Sequence, residues 1–123
     1  MTRDLTDFAK ATGVKFFLFN FTDLCGVQRA KLVPAAAAGD MQVSGAGFAG
    51  FAAWLDMTPA HPDMFVIPDP ASAIQLPWKP DVAWVAGDPW MDGKPLAQAP
   101  RNVLKTLAAQ AEQTLKQDPF IGH

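Results

Sequence analysis

The strongest hydrophobic pattern in the chain runs from Val14 to Phe21. Val14, Phe16 and Leu18 fall on one side of an extended backbone, and Phe17, Phe19 and Phe21 on the other. Apolar residues on both sides predict a central strand covered on two faces. Asp23-Leu24-Cys25-Gly26 reads as a turn, and Val27 to Val33 as a returning strand. That strand carries Gln28, Arg29 and Lys31, so one face or edge of it is wet. Together the two strands predict an N-terminal β-hairpin. Ahead of it, Asp4 to Ala11 sets Leu5, Phe8 and Ala9 on one helical face, and Gly13 supplies the stop.

Beyond Pro34 the pattern weakens. The alanines after it suggest a short helical piece ending near Gly39, and from Asp40 to Thr58 the chain mixes glycines with large aromatics and shows no period. An irregular loop of that length is more often functional than a plain connector. Short strands follow at Met64 to Ile67, Ala73 to Leu76 and Val82 to Ala86. Pro62, Pro68, Pro70, Pro77 and Pro80 mark their ends, where a missing amide donor does least harm. Asp92-Gly93 supplies another turn. Pro100 suits a first helical position, and Val103, Leu104, Leu107, Ala108, Ala111 and Leu115 make one apolar stripe expected to pack across the sheet. Strands with a helix laid over them predict an α+β domain.

Composition narrows the function classes. At 123 residues, 50% hydrophobic and 18% charged, the chain suits one folded domain rather than a disordered tail. A net charge of -2 gives no electrostatic reason to expect nucleic acid as a partner. Cys25 is the only cysteine, so an internal disulfide is impossible. The polar N-terminus does not read as a secretory signal, and no apolar run is long enough for a bilayer. The expectation is a soluble, cytoplasmic protein that binds no membrane.

Candidate chemistry is sparse. Gly45-Ala46-Gly47-Phe48-Ala49-Gly50 formally matches the dinucleotide fingerprint G-x-G-x-x-G, which works only between a buried strand and a helix. Here Gly39 to Val43 is a poor strand and Pro59 leaves little room for a helix, so the run reads as a glycine loop. Asp56, His61, Asp63 and Asp69 lack a recognised metal-ligand spacing; the aspartates suit turns and His61 a surface loop. Cys25 reads as a small packed residue. Of the four tryptophans, Trp78, Trp84 and Trp90 read as core or interface residues, and Trp54 stands out because it follows the glycine loop. Arg29, Lys31 and Arg101 read as solvated charges or surface ion pairs.

An ordered set of short motifs says more than any one of them. Val14-Lys15-Phe16, Phe21-Thr22-Asp23, Gly26 and Val33-Pro34-Ala35 come first. Phe48-Ala49-Gly50, the run Asp63 to Asp69, Asp88 and Pro100-Arg101 follow in order. Over nearly the whole chain this set resembles the opening of glutamine synthetases, in character the branch that makes γ-glutamylamides from organic amines. The resemblance implies a β-grasp-like mixed sheet with a C-terminal helix packed across it, residues 1–116 forming the N-terminal domain and 117–123 a tail. It also implies a parent enzyme that uses ATP with magnesium or manganese to join glutamate to ammonia or an amine, in a ring of like subunits. Phe48, Ala49, Gly50 and Trp54 would then line a substrate entrance, and the domain would contact neighbouring synthetase subunits. Where ammonia-using members typically have Phe-Asp-Gly, this chain has Ala49, which has no anionic oxygen for an ammonium ion; the expected substrate is an organic amine, such as methylamine or a longer amine. The metal-binding glutamates and catalytic motifs of the family do not appear before His123, so the chain is expected to bind no metal or nucleotide and to be inactive alone. The rival reading is a free-standing β-grasp module that binds synthetase subunits or another protein.

Overall fold

The computed structural model describes residues 4–50 and 57–117. The first helix, α1 (Leu5–Thr12), starts at Asp4, whose side chain accepts from the Thr6 amide, and stops at Gly13. Its buried residues are Leu5 and Phe8, the face the spacing predicts. The hairpin follows as β1 (Phe16–Thr22) and β2 (Gln28–Pro34), antiparallel, with Leu18 opposite Leu32 and Phe19 opposite Lys31.

After Pro34 the structure departs from the sequence reading. Helix α2 (Ala35–Ser44) runs on past Gly39, and its cap at Gly45 leads into the short strand β3 (Ala46–Phe48). Residues 40–44 and 46–48 of the expected irregular loop are therefore helix and strand. The helix lies against α1, and a Cβ at Gly39 would meet the Thr6 hydroxyl at 2.8 Å. Its alanines bury little on their own, which is why no amphipathic period announced it.

The remaining elements are β4 (Met64–Pro68), a 3-10 turn (Pro70–Ser72), β5 (Ile74–Leu76), β6 (Lys79–Met91), β7 (Lys94–Pro95) and α3 (Pro100–Gln117). Strand β6 is far longer than the expected Val82–Ala86, and Pro80 and Pro89 lie within it. Its first half pairs parallel with β1 and antiparallel with β5; its second half pairs with β4 and β7. The change of partner occurs at Gly87. A Cβ there would collide with a Val66 methyl and stand 3.2 Å from the Asn20 carbonyl oxygen, so only glycine lets three strands approach so closely. Asp92 and Gly93, both at positive φ, turn β6 into β7.

The result is a mixed, β-grasp-like sheet in the order β2-β1-β6-β4-β3, with a C-terminal helix. Phe17, Phe19 and Phe21 are buried, together with Leu5, Val33, Ala38, Met64, Val66 and Val85. The opposite side of β1 is not covered as expected, for Phe16 is exposed and Leu18 only half-buried. Helix α3 meets the sheet through its first turn, where Asn102 is buried, while Val103, Leu104, Leu107 and Leu115 of the apolar stripe remain exposed. Among the described residues, no helix is long and apolar enough to cross a membrane.

Candidate functional site

The run singled out by sequence, Gly45 to Gly50, joins the end of α2 to β3. Helix followed by strand reverses the order a dinucleotide site needs, and among the described residues no α-helix starts between β3 and β4 to face the glycines. Strand β3 is held on β4 by the pairs Ala46–Val66, Gly47–Phe65 and Phe48–Met64. Phe48, half-buried, meets the Phe21 ring edge-on, with centroids 4.9 Å apart and planes at 80°. Its ring also receives the Lys31 ammonium, 4.9 Å from the centroid. The same ammonium donates a hydrogen bond to the Gly47 carbonyl. Ala49 is half-buried and Gly50 buried, where a Cβ would run into the Met57 sulfur. Trp54 and Asp56 lie outside the described residues.

This loop is apolar apart from Lys31, and residues 45–50 include no acid. Its described residues, 45–50, present phenyl, methyl and backbone groups, and no carboxylate is among them. Lys31 was read as a surface charge, and it is exposed, with its ammonium on the Gly47 carbonyl and over the Phe48 ring. One signal was available, because Lys31 shares its side of β2 with buried Val33.

Two further groups of polar residues hold the frame. Asp23 is buried, and its carboxylate accepts from the amides of Cys25 and Val27 and from Arg29 Nε, each at 2.9 Å. Burial pushes the Asp23 carboxyl up, but the Val27 amide, the Arg29 guanidinium and the Cys25 amide outweigh it and hold the group below the usual carboxylate range. Cys25, expected to be packed, is exposed, because its backbone rather than its thiol serves the turn. At the other end of the sheet, Arg101 donates from Nε to Asp88 and from Nη2 to Asp69, both at 2.7 Å. Lys105 also pairs with Asp88. Asn102 Nδ2 donates to the carbonyls of Pro89 (2.9 Å) and Leu96 (2.8 Å). The ion-pair reading holds for Arg29 and Arg101.

The residues once considered as metal ligands are not gathered. His61 is exposed and bonds Thr58 through Nδ1, Asp63 is exposed, and Asp69 faces Arg101. Among the described residues no three His, Cys, Asp or Glu side chains come together as a metal site. With Asp23, Asp69 and Asp88 each committed to a cation, the described residues do not fit a divalent metal, nor do the glycines fit a nucleotide phosphate.

A cavity of about 320 Å³ lies elsewhere, between the open sheet face and the first turn of α3, bounded by Asn20, Thr22, Gln28, Trp84, Arg101 and Leu104. No residue of the glycine loop lines it.

Comparison with known proteins meets these landmarks directly. The chain is 64% identical over 113 residues to a glutamine synthetase of Rhizobium meliloti (strain 1021), covering 92% of this chain and 26% of that protein. The chain is glutamine synthetase-like. A glutamate–methylamine ligase of Methyloversatilis universalis is 39% identical over 105 residues, which cover 84% of this chain and 24% of the ligase. The solved structure described as a GmaS/ADP complex superposes with a TM-score of 0.89 at 59% identity, over 94% of this chain and 26% of that one. No family model matches the chain. This glutamine synthetase-like chain thus spans about a quarter of the length of the relatives it matches. Several residues that carried the resemblance (Asp23, Gly26, Asp69, Asp88 and Arg101) prove to be those that lock turns and dock α3.

Proposed function

We propose that residues 1–116 are the N-terminal domain of an ATP-dependent glutamate–amine ligase, supplying a substrate-entrance loop and contacts to neighbouring subunits. The observation that carries this reading is the match of nine-tenths of the chain, at 64% identity, to a quarter of a glutamine synthetase. Catalysis, with ATP and magnesium or manganese, belongs to the three-quarters of the relatives' length that this chain does not cover. The chain alone does not turn over, works in the cytoplasm and assembles with like subunits.

Within that reading Phe48, Ala49, Gly50 and Trp54 line the path of the incoming amine. Ala49 supports an organic amine over ammonia. Deprotonating an ammonium ion calls for an anionic acceptor close by, and a methyl group provides none. A phenyl ring and a methyl group instead shed water readily against an alkyl substituent. The likeness to a glutamate–methylamine ligase points the same way.

The test is to rejoin the chain with the remaining three-quarters of a synthetase-like polypeptide and follow ADP release with glutamate and either methylamine or ammonia. The expected result is turnover only in the rejoined protein, with methylamine preferred. A clear preference for ammonia would remove the amine reading, and turnover by this chain alone would remove the domain reading.

A further inference from the structure

The sheet is ordered β2-β1-β6-β4-β3, so β2 and β3 are its two opposite edges and do not pair with each other. Yet Lys31, on β2, bonds the carbonyl of Gly47, on β3. The sheet therefore curls until its edges stand one lysine side chain apart, and that side chain spans the gap. On the way its ammonium lies over the Phe48 ring, which also meets the Phe21 ring of β1 edge-on. Among the described residues no carboxylate forms an ion pair with Lys31, so the carbonyl and the ring are what hold it. A charged donor to a carbonyl is stronger than a neutral one, and a cation over an aromatic face adds to it.

We propose that Lys31 is the positioning residue of the glycine loop: by tying the two sheet edges together it fixes Phe48 against Phe21 and sets the path of the backbone into Ala49 and Gly50. Strand β3 is three residues long and is paired on one side only, by β4. A strand so short frays readily unless something holds its free side. Lys31 is that hold. The meaning of this for substrate choice rests on the reading of the loop as an amine entrance; the mechanical role does not.

The experiment uses the whole chain with Lys31→Met, Lys31→Arg and Phe48→Leu. In Lys31→Met, amides from Gly47 to Gly50 are expected to exchange with deuterium about tenfold faster, while β1 and β6 keep their protection. Arginine, which can also donate to the carbonyl and stack on the ring, should restore most of that protection. In the unaltered chain the ε-methylene protons of Lys31 should be shifted upfield by the Phe48 ring, and Phe48→Leu should abolish the shift. Unchanged exchange in Lys31→Met, or no ring shift in the unaltered chain, overturns the proposal; the second measurement stands even where the methionine variant fails to fold. In the protein rejoined to its catalytic part, Lys31→Met should raise the amine KM severalfold with a smaller effect on kcat. A loosened loop with an unchanged amine KM would keep Lys31 as the positioning residue and discard the amine-entrance reading.

Discussion

Asp23 shows how one side chain can organise a turn. Its two oxygens take three donors, and the guanidinium of Arg29 completes the charge balance. Because its folded pKa is depressed, the unfolded chain binds the proton more readily. The stability Asp23 contributes is therefore present above the unfolded carboxylate pKa of about 3.9 and is lost as pH falls through the lower folded value. Asp23→Asn is expected to lower the melting temperature at pH 7 and to flatten the loss of stability between about pH 4 and the acid extreme. Thermal melts across that range check both effects, and an unchanged acid limb would contradict them. Gly87 makes the complementary point through volume. Gly87→Ala drives a methyl into Val66 in a packed three-strand crossing, at an expected cost of about 1–3 kcal/mol by urea unfolding.

Among the elements, α3 separates what holds a helix from what makes it amphipathic. The stripe from Val103 to Leu115 predicted a helix lying across the sheet, but the polar attachment runs through Arg101, Asn102 and Lys105 at its start. Asn102 is buried and serves two carbonyls, so Asn102→Ala strands both and should cost about 1–3 kcal/mol in chemical denaturation. Arg101 is about a third exposed at its side chain, and its ion pairs are screened accordingly. Arg101→Ala is expected to cost about 1 kcal/mol or less, with the helical signal beyond residue 105 unaltered. A larger loss for Arg101 than for Asn102 would reverse this ranking.

Over the whole molecule, the sheet has one closed face and one open face. Register places Leu32, Leu18, Trp84 and Ile74 in a row across four strands on the open side. Leu32 and Ile74 are more than half exposed, and Trp78, read from sequence as core or interface, is 79% exposed beside them. Apolar surface arranged in this way tends to find a partner. The 123-residue chain is expected to self-associate as its concentration rises, and Trp78→Gln with Ile74→Ser to shift it toward monomer in sedimentation velocity. Equal sedimentation of the two proteins at all concentrations would show that this face does not drive association.

What the sequence determined by itself is local. The strand carrying Phe17, Phe19 and Phe21, the Asp92-Gly93 turn, the stop at Gly13 and the start at Pro100 each depend on neighbours within a few positions, and each is found where its pattern put it. The ordered landmarks also sufficed for the family likeness, since turns and caps keep their spacing along a chain. Tertiary structure decided the rest. Helix α2 was hidden because its alanines gain their burial only against α1, and the length of β6 because Gly87 and Pro89 look like breaks until the crossing strands supply the reason for them. Lys31 belongs to this second class. Sixteen positions separate it from Gly47, and no periodicity relates two residues on opposite edges of a sheet; only the curl of the whole sheet brings the ammonium to the loop.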